Sequence, residues 1–285
     1  MSLTGRIAIV TGAAAGLGRA EALALAARGA TVVVNDIGEP KDVVAEIEAA
    51  GGTAVAVAGD VGERATADAL TQAALDLGGL DVVVNNAGVL RDKMLFSMSD
   101  DDWDTVLRVH LRGHFLLSRN AAEHWREKSK ADGKPVYGRL VNTASEAFLI
   151  GSPGQPNYAA AKAGITALTM SAARGLAKYG VRANAICPRA RTAMTEGVFG
   201  AAPAEGADPL SVEHVAPFVA YLASPAAEHV NGQVFVVHGG TVSLVEAPRI
   251  ERRWGLDELE TSVSAFFAER DPGRMFAATE ILEES

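Results

Sequence analysis

The chain has 285 residues, 48% hydrophobic and 21% charged, with Gly 29 and Pro 11, which excludes collagen, coiled coil and general disorder. Lys+Arg 26 against Asp+Glu 35 leaves a net charge of −9. That balance argues against nucleic acid or an anionic membrane surface as partner, because phosphate neutralisation is done by Lys and Arg.

One cysteine, Cys187, permits no internal disulfide and points to a reducing, cytoplasmic setting. No uncharged apolar run approaches the ~20 residues of a membrane span. The opening MSLTGRIAIV lacks a basic stretch followed by a signal-peptide core.

Short apolar, β-branched runs alternate with Ala-rich segments of helical period. Strands are expected at 7–10, 31–35, 54–58, 81–84, 139–142, 182–186 and 233–237. Their near-continuous hydrophobicity suits strands covered on both faces. Helices are expected at 16–28, 41–50, 64–77, 100–125, 157–178 and 212–223, with Ser99 and Asp102 as a capping pair for the fourth. The alternation predicts one doubly wound α/β domain over 1–242 with right-handed crossovers. The rest, 243–285, is an extension with a helical stretch at 257–269 and a turn at Asp271-Pro272-Gly273.

The first strand runs into Thr11-Gly12-Ala13-Ala14-Ala15-Gly16-Leu17-Gly18, which opens a helix. Glycines there let backbone approach a pyrophosphate, and helix N–H groups attract its charge; alone, the run is equally a turn. Strand two ends at Asp36, where a carboxylate accepts both hydroxyls of an adenine ribose and repels a 2′-phosphate. Ala15 and Ile37 offer no cation, so NAD is favoured over NADP. Asp60-Val61 and Asn86-Ala87-Gly88 follow strands three and four, at the sheet edge where adenine and ribose would lie.

Ser145 follows strand five, and Tyr158-Ala-Ala-Ala-Lys162 begins a long helix, with Tyr and Lys on one face. The same spacing fits a solvated face with a half-buried ring. For chemistry, a phenol must lose its proton near pH 7, about 3 units below its free value, or roughly 4 kcal/mol. An ammonium beside the ring and a positively charged nicotinamide would supply that, and a serine hydroxyl would hold the substrate oxygen. His110 and His114, also i, i+4, read as helix packing; no spacing points to a metal.

Taken together, TGAAAGLG, Asp36, NNAG, Ser145 and YAAAK resemble the short-chain dehydrogenase/reductase superfamily over residues 1 to about 240. The resemblance implies a Rossmann-like seven-stranded parallel sheet and a nicotinamide cofactor. It makes Tyr158 the acid/base, Lys162 the holder of the nicotinamide ribose and Ser145 the residue that orients substrate. The superfamily usually has asparagine in a V-N-L-x-G segment; here it is Val109-His110-Leu111-Arg112-Gly113, which leaves His110 as a candidate relay residue. VVVNNAGVLRDKMLFSMSDDDWDTVLRVHLRGHF and ICPRARTAMT are similar to the (R)-3-hydroxyacyl-CoA dehydrogenase module of peroxisomal multifunctional enzyme type 2 and to actinobacterial sterol-catabolic relatives. That likeness implies an acyl-CoA or 17-hydroxysteroid substrate, with Pro188 and Thr192 at the nicotinamide. It also implies a homodimer or homotetramer, and an extension packing on its own domain or a neighbouring subunit.

Phe148, Leu149, Ile150, Met194, Val198 and Phe199 are candidate walls of an apolar substrate pocket, or else ordinary loop packing. Arg189, Arg191, Arg249, Arg252 and Arg253 are candidates for coenzyme A phosphates, or else solvated charges. Two alternatives stand beside the NAD-dependent dehydrogenase: a 3-oxoacyl-carrier-protein reductase, and a catalytically weak NAD-binding regulatory protein.

Overall fold

A computed structural model of the protein describes residues 1–195, 199–203, 205–248 and 250–270. Val198, Arg249 and the turn at Asp271–Gly273 lie outside them. The chain forms two compact units, Met1–Leu244 and Val245–Ser285. The boundary expected at 242/243 falls inside a strand of the first unit.

In that unit, β1 (Ile7–Thr11), α1 (Gly16–Ala26), β2 (Thr31–Asp36), α2 (Lys41–Ala49), β3 (Thr53–Ala58), α3 (Arg64–Asp76) and β4 (Val82–Asn85) alternate as expected. They are followed by α4 (Asp100–Leu107), a π-helical turn (Arg108–Arg112), α5 (Gly113–Asp132) and β5 (Gly138–Thr143). The remainder comprises α6 (Ala147–Ile150), α7 (Pro156–Leu176), β6 (Val181–Pro188), α8 (Ala216–Ala223), β7 (Val234–His238) and β8 (Thr241–Leu244). Strand order is β3-β2-β1-β4-β5-β6-β7-β8. The first seven pair in parallel, and β8 runs antiparallel to β7. The order in which strands are added reverses between β1 and β4, which are parallel, so their carboxyl ends open a crevice.

Eight strands therefore replace the expected seven. β8 was hidden because its residues TVSL are mostly exposed and show no apolar run. Its signal is the Gly239-Gly240 pair, with φ of 52° and 82°, the geometry a two-residue hairpin demands.

The strands bury both faces: Val32, Val33 and Val34 of β2, and Val82, Val83 and Val84 of β4, are all inaccessible. One face packs against α1, α2 and α8 through Leu25, Val43 and Val219, the other against α3 and α5 through Leu70, Leu117 and Trp125. Trp125 is wholly buried, and its indole N–H donates to Leu80 O at 2.7 Å. Truncating such a ring would cost roughly 3–5 kcal/mol. Ser99 and Asp102 form the expected capping box at α4. The single helix expected over 100–125 is instead interrupted by the π turn, which carries His110.

The second unit holds short helical turns over Leu256–Val263 and a helix, α9 (Ser264–Glu269). Trp254 and Phe266 meet edge to face there, with Arg252 lying over both rings.

Candidate active site

A cleft of about 360 Å³ opens at the carboxyl ends of the parallel strands. Its wall includes Gly12, Ala15, Gly16, Leu17, Asp36, Asp60, Val61, Asn86, Ala87, Gly88, His110, Tyr158, Lys162, Pro188, Thr192 and Met194. These sixteen residues, singled out from separate stretches of the sequence, thus converge on one surface.

The nucleotide end is built by close backbone approach. A Cβ at Gly12 would lie 2.7 Å from Ala87 Cα, and one at Gly18 would lie 2.2 Å from Gly12 O. Gly18 therefore supports the cradle from beneath and does not line it. The side chain of Asn86 donates to Thr11 O and Gly12 O, both at 3.1 Å, locking the glycine loop to the end of β4. Ala15 caps α1 with extended backbone and no side-chain bond, so the helix N–H groups remain directed at the cleft. Asp36 accepts from Ala14 N–H at 2.9 Å and from Ile37 N–H at 2.8 Å, which aims its carboxylate along the same wall. Asp60 accepts from Arg108 at 2.7 Å and from Gly62 N–H at 2.8 Å. A cradle with no room for Cβ atoms, open helix N–H groups and a carboxylate at the end of β2 fits a nicotinamide dinucleotide.

At the other end, Lys162 is buried and its ammonium donates to Thr143 O at 2.5 Å. It lies 5.3 Å from the centre of the Tyr158 ring. The His110 ring meets Tyr158 edge to face at 5.2 Å. His110 Nε2 faces Val89 N–H at 3.0 Å and Val89 O at 2.8 Å, whereas its buried Nδ1 has no partner among the described residues. The close fit requires Gly88, where a Cβ would lie 2.3 Å from the imidazole.

Burial pushes the Tyr158 phenol up to about 12, opposed by a hydrogen bond from the Ser145 side chain. Burial also lowers Lys162 to about 7. The protein alone thus does not make the phenol acidic, because desolvation by burial is the largest influence on it. Burial, reinforced by the Lys162 charge, drops His110 to about 3, so its imidazole is neutral at any working pH.

Ser145 and Phe148 sit beside the cleft, on the segment from β5 into α6, without lining it; Phe199 does not line it either. Two arginines proposed for coenzyme A are engaged elsewhere. Arg189 is buried in a two-pronged pair with Glu146. Arg191 binds Asp208 at 3.0 Å and donates to Phe199 O and Gly200 O. Arg252 is spent on the rings of the second unit, and Arg253 is exposed. Sequence reasoning missed Thr143, Ala144 and Ala190, which also line the cleft; each follows a strand core, a position that by itself signals the sheet edge. Among the described residues no group of His, Cys, Asp and Glu could hold a metal ion, and no helix is long and apolar enough to cross a membrane.

A family model described as short chain dehydrogenase matches residues 6–201. The chain belongs to that family. It is an oxidoreductase, and its family uses a nicotinamide cofactor on small-molecule substrates. It is 61% identical to hydroxyacyl-CoA dehydrogenase ChsB1 of Mycobacterium tuberculosis, over 99% of this chain and 95% of that protein. Mouse peroxisomal multifunctional enzyme type 2 is 42% identical over 84% of this chain but only 32% of its own length. A 3-oxoacyl-[acyl-carrier-protein] reductase of Synechocystis is 42% identical over 85% of this chain and 98% of its own. The crystal structure of a short chain dehydrogenase from Mycobacterium avium superposes with a TM-score of 0.83 at 44% identity, covering 95% of this chain and 98% of that one.

Proposed function

We propose that this protein is an NAD-dependent dehydrogenase that interconverts a secondary alcohol and a ketone on a 3-hydroxyacyl-CoA or a 17-hydroxysteroid. The observation that carries the reading is one cleft with Asp36 at one end and Tyr158, Lys162 and His110 at the other. The glycine loop, Asp36 and Lys162 would hold the dinucleotide, which in its oxidised form would supply a hydride acceptor for the carbinol carbon. Tyr158 takes the hydroxyl proton, and Ser145 holds the substrate oxygen against it. A phenol held near 12 by burial needs added positive charge to act, and the pyridinium side of the cleft is where that charge would enter. Lys162 holds the nicotinamide ribose, and its anchor on Thr143 O fixes its reach. His110 takes the relay position as a neutral imidazole, with Nδ1 as its remaining polar atom.

Pro188 and Thr192 contact the nicotinamide, with Met194, Phe148 and Phe199 toward the substrate. The acyl-CoA assignment draws on the name of the M. tuberculosis relative. The steroid alternative rests on the sequence likeness alone. NAD over NADP follows from the Asp36 carboxylate and from Ala15 and Ile37, which carry no cation. The Synechocystis relative favours a second reading, reduction of 3-oxoacyl groups on carrier protein, and Asp36 weighs against the NADPH such a reaction commonly uses. A weak, regulatory NAD binder is the third. A cytoplasmic homodimer or homotetramer belongs to the same proposal, as does an extension that packs on its own domain or a neighbour.

The deciding experiment is a panel of 3-hydroxyacyl-CoAs and 17-hydroxysteroids with NAD⁺ or NADP⁺, read at the NADH absorbance. Turnover on acyl-CoAs with NAD⁺ is expected. A parallel arm with 3-oxoacyl-carrier protein and NADPH tests the second reading, which turnover in that arm alone supports; NADH binding without turnover in any arm supports the third.

A further inference from the structure

The segment Ser145-Glu146 and the segment Pro188-Arg189 leave the sheet side by side, at the ends of β5 and β6. Their last main-chain rung is Ala144 N–H to Ile186 O at 2.7 Å. Just beyond it, Arg189 Nε donates to Glu146 Oε2 at 2.6 Å and Nη2 donates to Oε1 at 2.7 Å. Both side chains are about nine-tenths buried. Each partner is also fixed through its backbone: Glu146 O accepts from Leu149 and Ile150 in the turn of α6, and Arg189 N–H donates to Val237 O at 2.9 Å.

A buried ion pair is weak evidence for stability, because desolving two charges costs about what their attraction returns. Its distinctive property is geometric: a planar fork on a planar carboxylate fixes distance and angle together. Here the two segments joined carry different halves of the reaction. Ser145, the residue proposed to hold the substrate oxygen, directly precedes Glu146, while Pro188, Ala190 and Thr192 flank Arg189 and line the cleft. We infer that Glu146 and Arg189 are positioning residues that set the separation between the substrate oxygen held by Ser145 and the nicotinamide held at Pro188–Thr192. The inference rests on the dehydrogenase reading above.

The test compares the parent with Glu146→Gln, Arg189→Lys and the apolar pair Glu146→Met with Arg189→Met. The apolar pair removes both buried charges together, so it keeps the fold even if a single variant does not. Readouts are kcat, KM, the Kd for NADH by fluorescence, the melting temperature, and the isotope effect with substrate deuterated at the carbinol carbon. Misplacement on the scale of an ångström costs around 10²-fold in rate, so the apolar pair should lose 10- to 100-fold in kcat. Its NADH Kd should move less than about 3-fold, its melting temperature should hold, and its isotope effect should rise. Arg189→Lys, which keeps the charge but loses the fork, should fall between. An apolar pair with parental kcat and isotope effect overturns the inference while leaving the dehydrogenase reading intact. A parent that turns over no substrate in the panel overturns both.

Discussion

Glu21 is a carboxyl that the mechanism does not use and the fold does not satisfy. It lies on the inner face of α1 with Leu17, Ala22 and Leu25, wholly inaccessible, and neither oxygen has a hydrogen-bond partner among the described residues. Burial raises it from 4.5 to about 8. Below pH 4.5 the group is protonated whether the chain is folded or not, and its contribution does not vary. Between 4.5 and 8 only the unfolded chain ionises, so stability falls as pH rises. Above about 8 both states ionise and the slope vanishes. At 1.36 kcal/mol per unit, the loss by pH 7 is about 3 kcal/mol. Glu21→Met keeps the length of the side chain and removes the ionisation. The variant should be the more stable protein at pH 7, and its advantage should grow by roughly 2 kcal/mol between pH 5 and pH 7. Urea unfolding at pH 5, 6, 7 and 8, with equal m-values for both proteins, measures this difference directly, and other titrating groups cancel in it. Parallel stability profiles across that range would show that Glu21 is ionised or solvated in the native state and refute the argument.

Three further outcomes are expected. Asp36→Ala should shift the ratio of kcat/KM for NAD⁺ over NADP⁺ downward by roughly 10- to 100-fold, the worth of ~1.5–3 kcal/mol for bonds to a charged group; an unchanged ratio removes Asp36 from cofactor choice. Tyr158→Phe should lower kcat by ~10²-fold or more while NADH binding, followed by fluorescence, stays within a few-fold, and near-parental kcat excludes the phenol as base. Arg191→Met deletes the ties to Asp208, Phe199 O and Gly200 O, so limited proteolysis between 199 and 208 should accelerate, and an unaltered cleavage rate would mean the loop is held by other contacts.

Much of the fold and the candidate site is legible in the chain because the relevant patterns are local. A β-branched run covered on both faces, a glycine loop between strand and helix, and Tyr158 and Lys162 one helical turn apart each need only a few neighbouring residues. A parallel, doubly wound sheet follows from that alternation, whereas the order of its strands is a tertiary result. What depends on partners far away in sequence was decided by tertiary structure alone. β8 exists because β7 offers an edge to a mostly exposed segment with no apolar pattern of its own. The π turn seats His110 against Gly88 and Tyr158, contacts from other strands and helices. Arg189, which in sequence looks like a surface cation, meets Glu146 across 43 residues and is buried by it. The proton affinities of Tyr158, Lys162 and Glu21 have the same origin, since desolvation is set by everything packed around a group and not by the residues beside it in the chain.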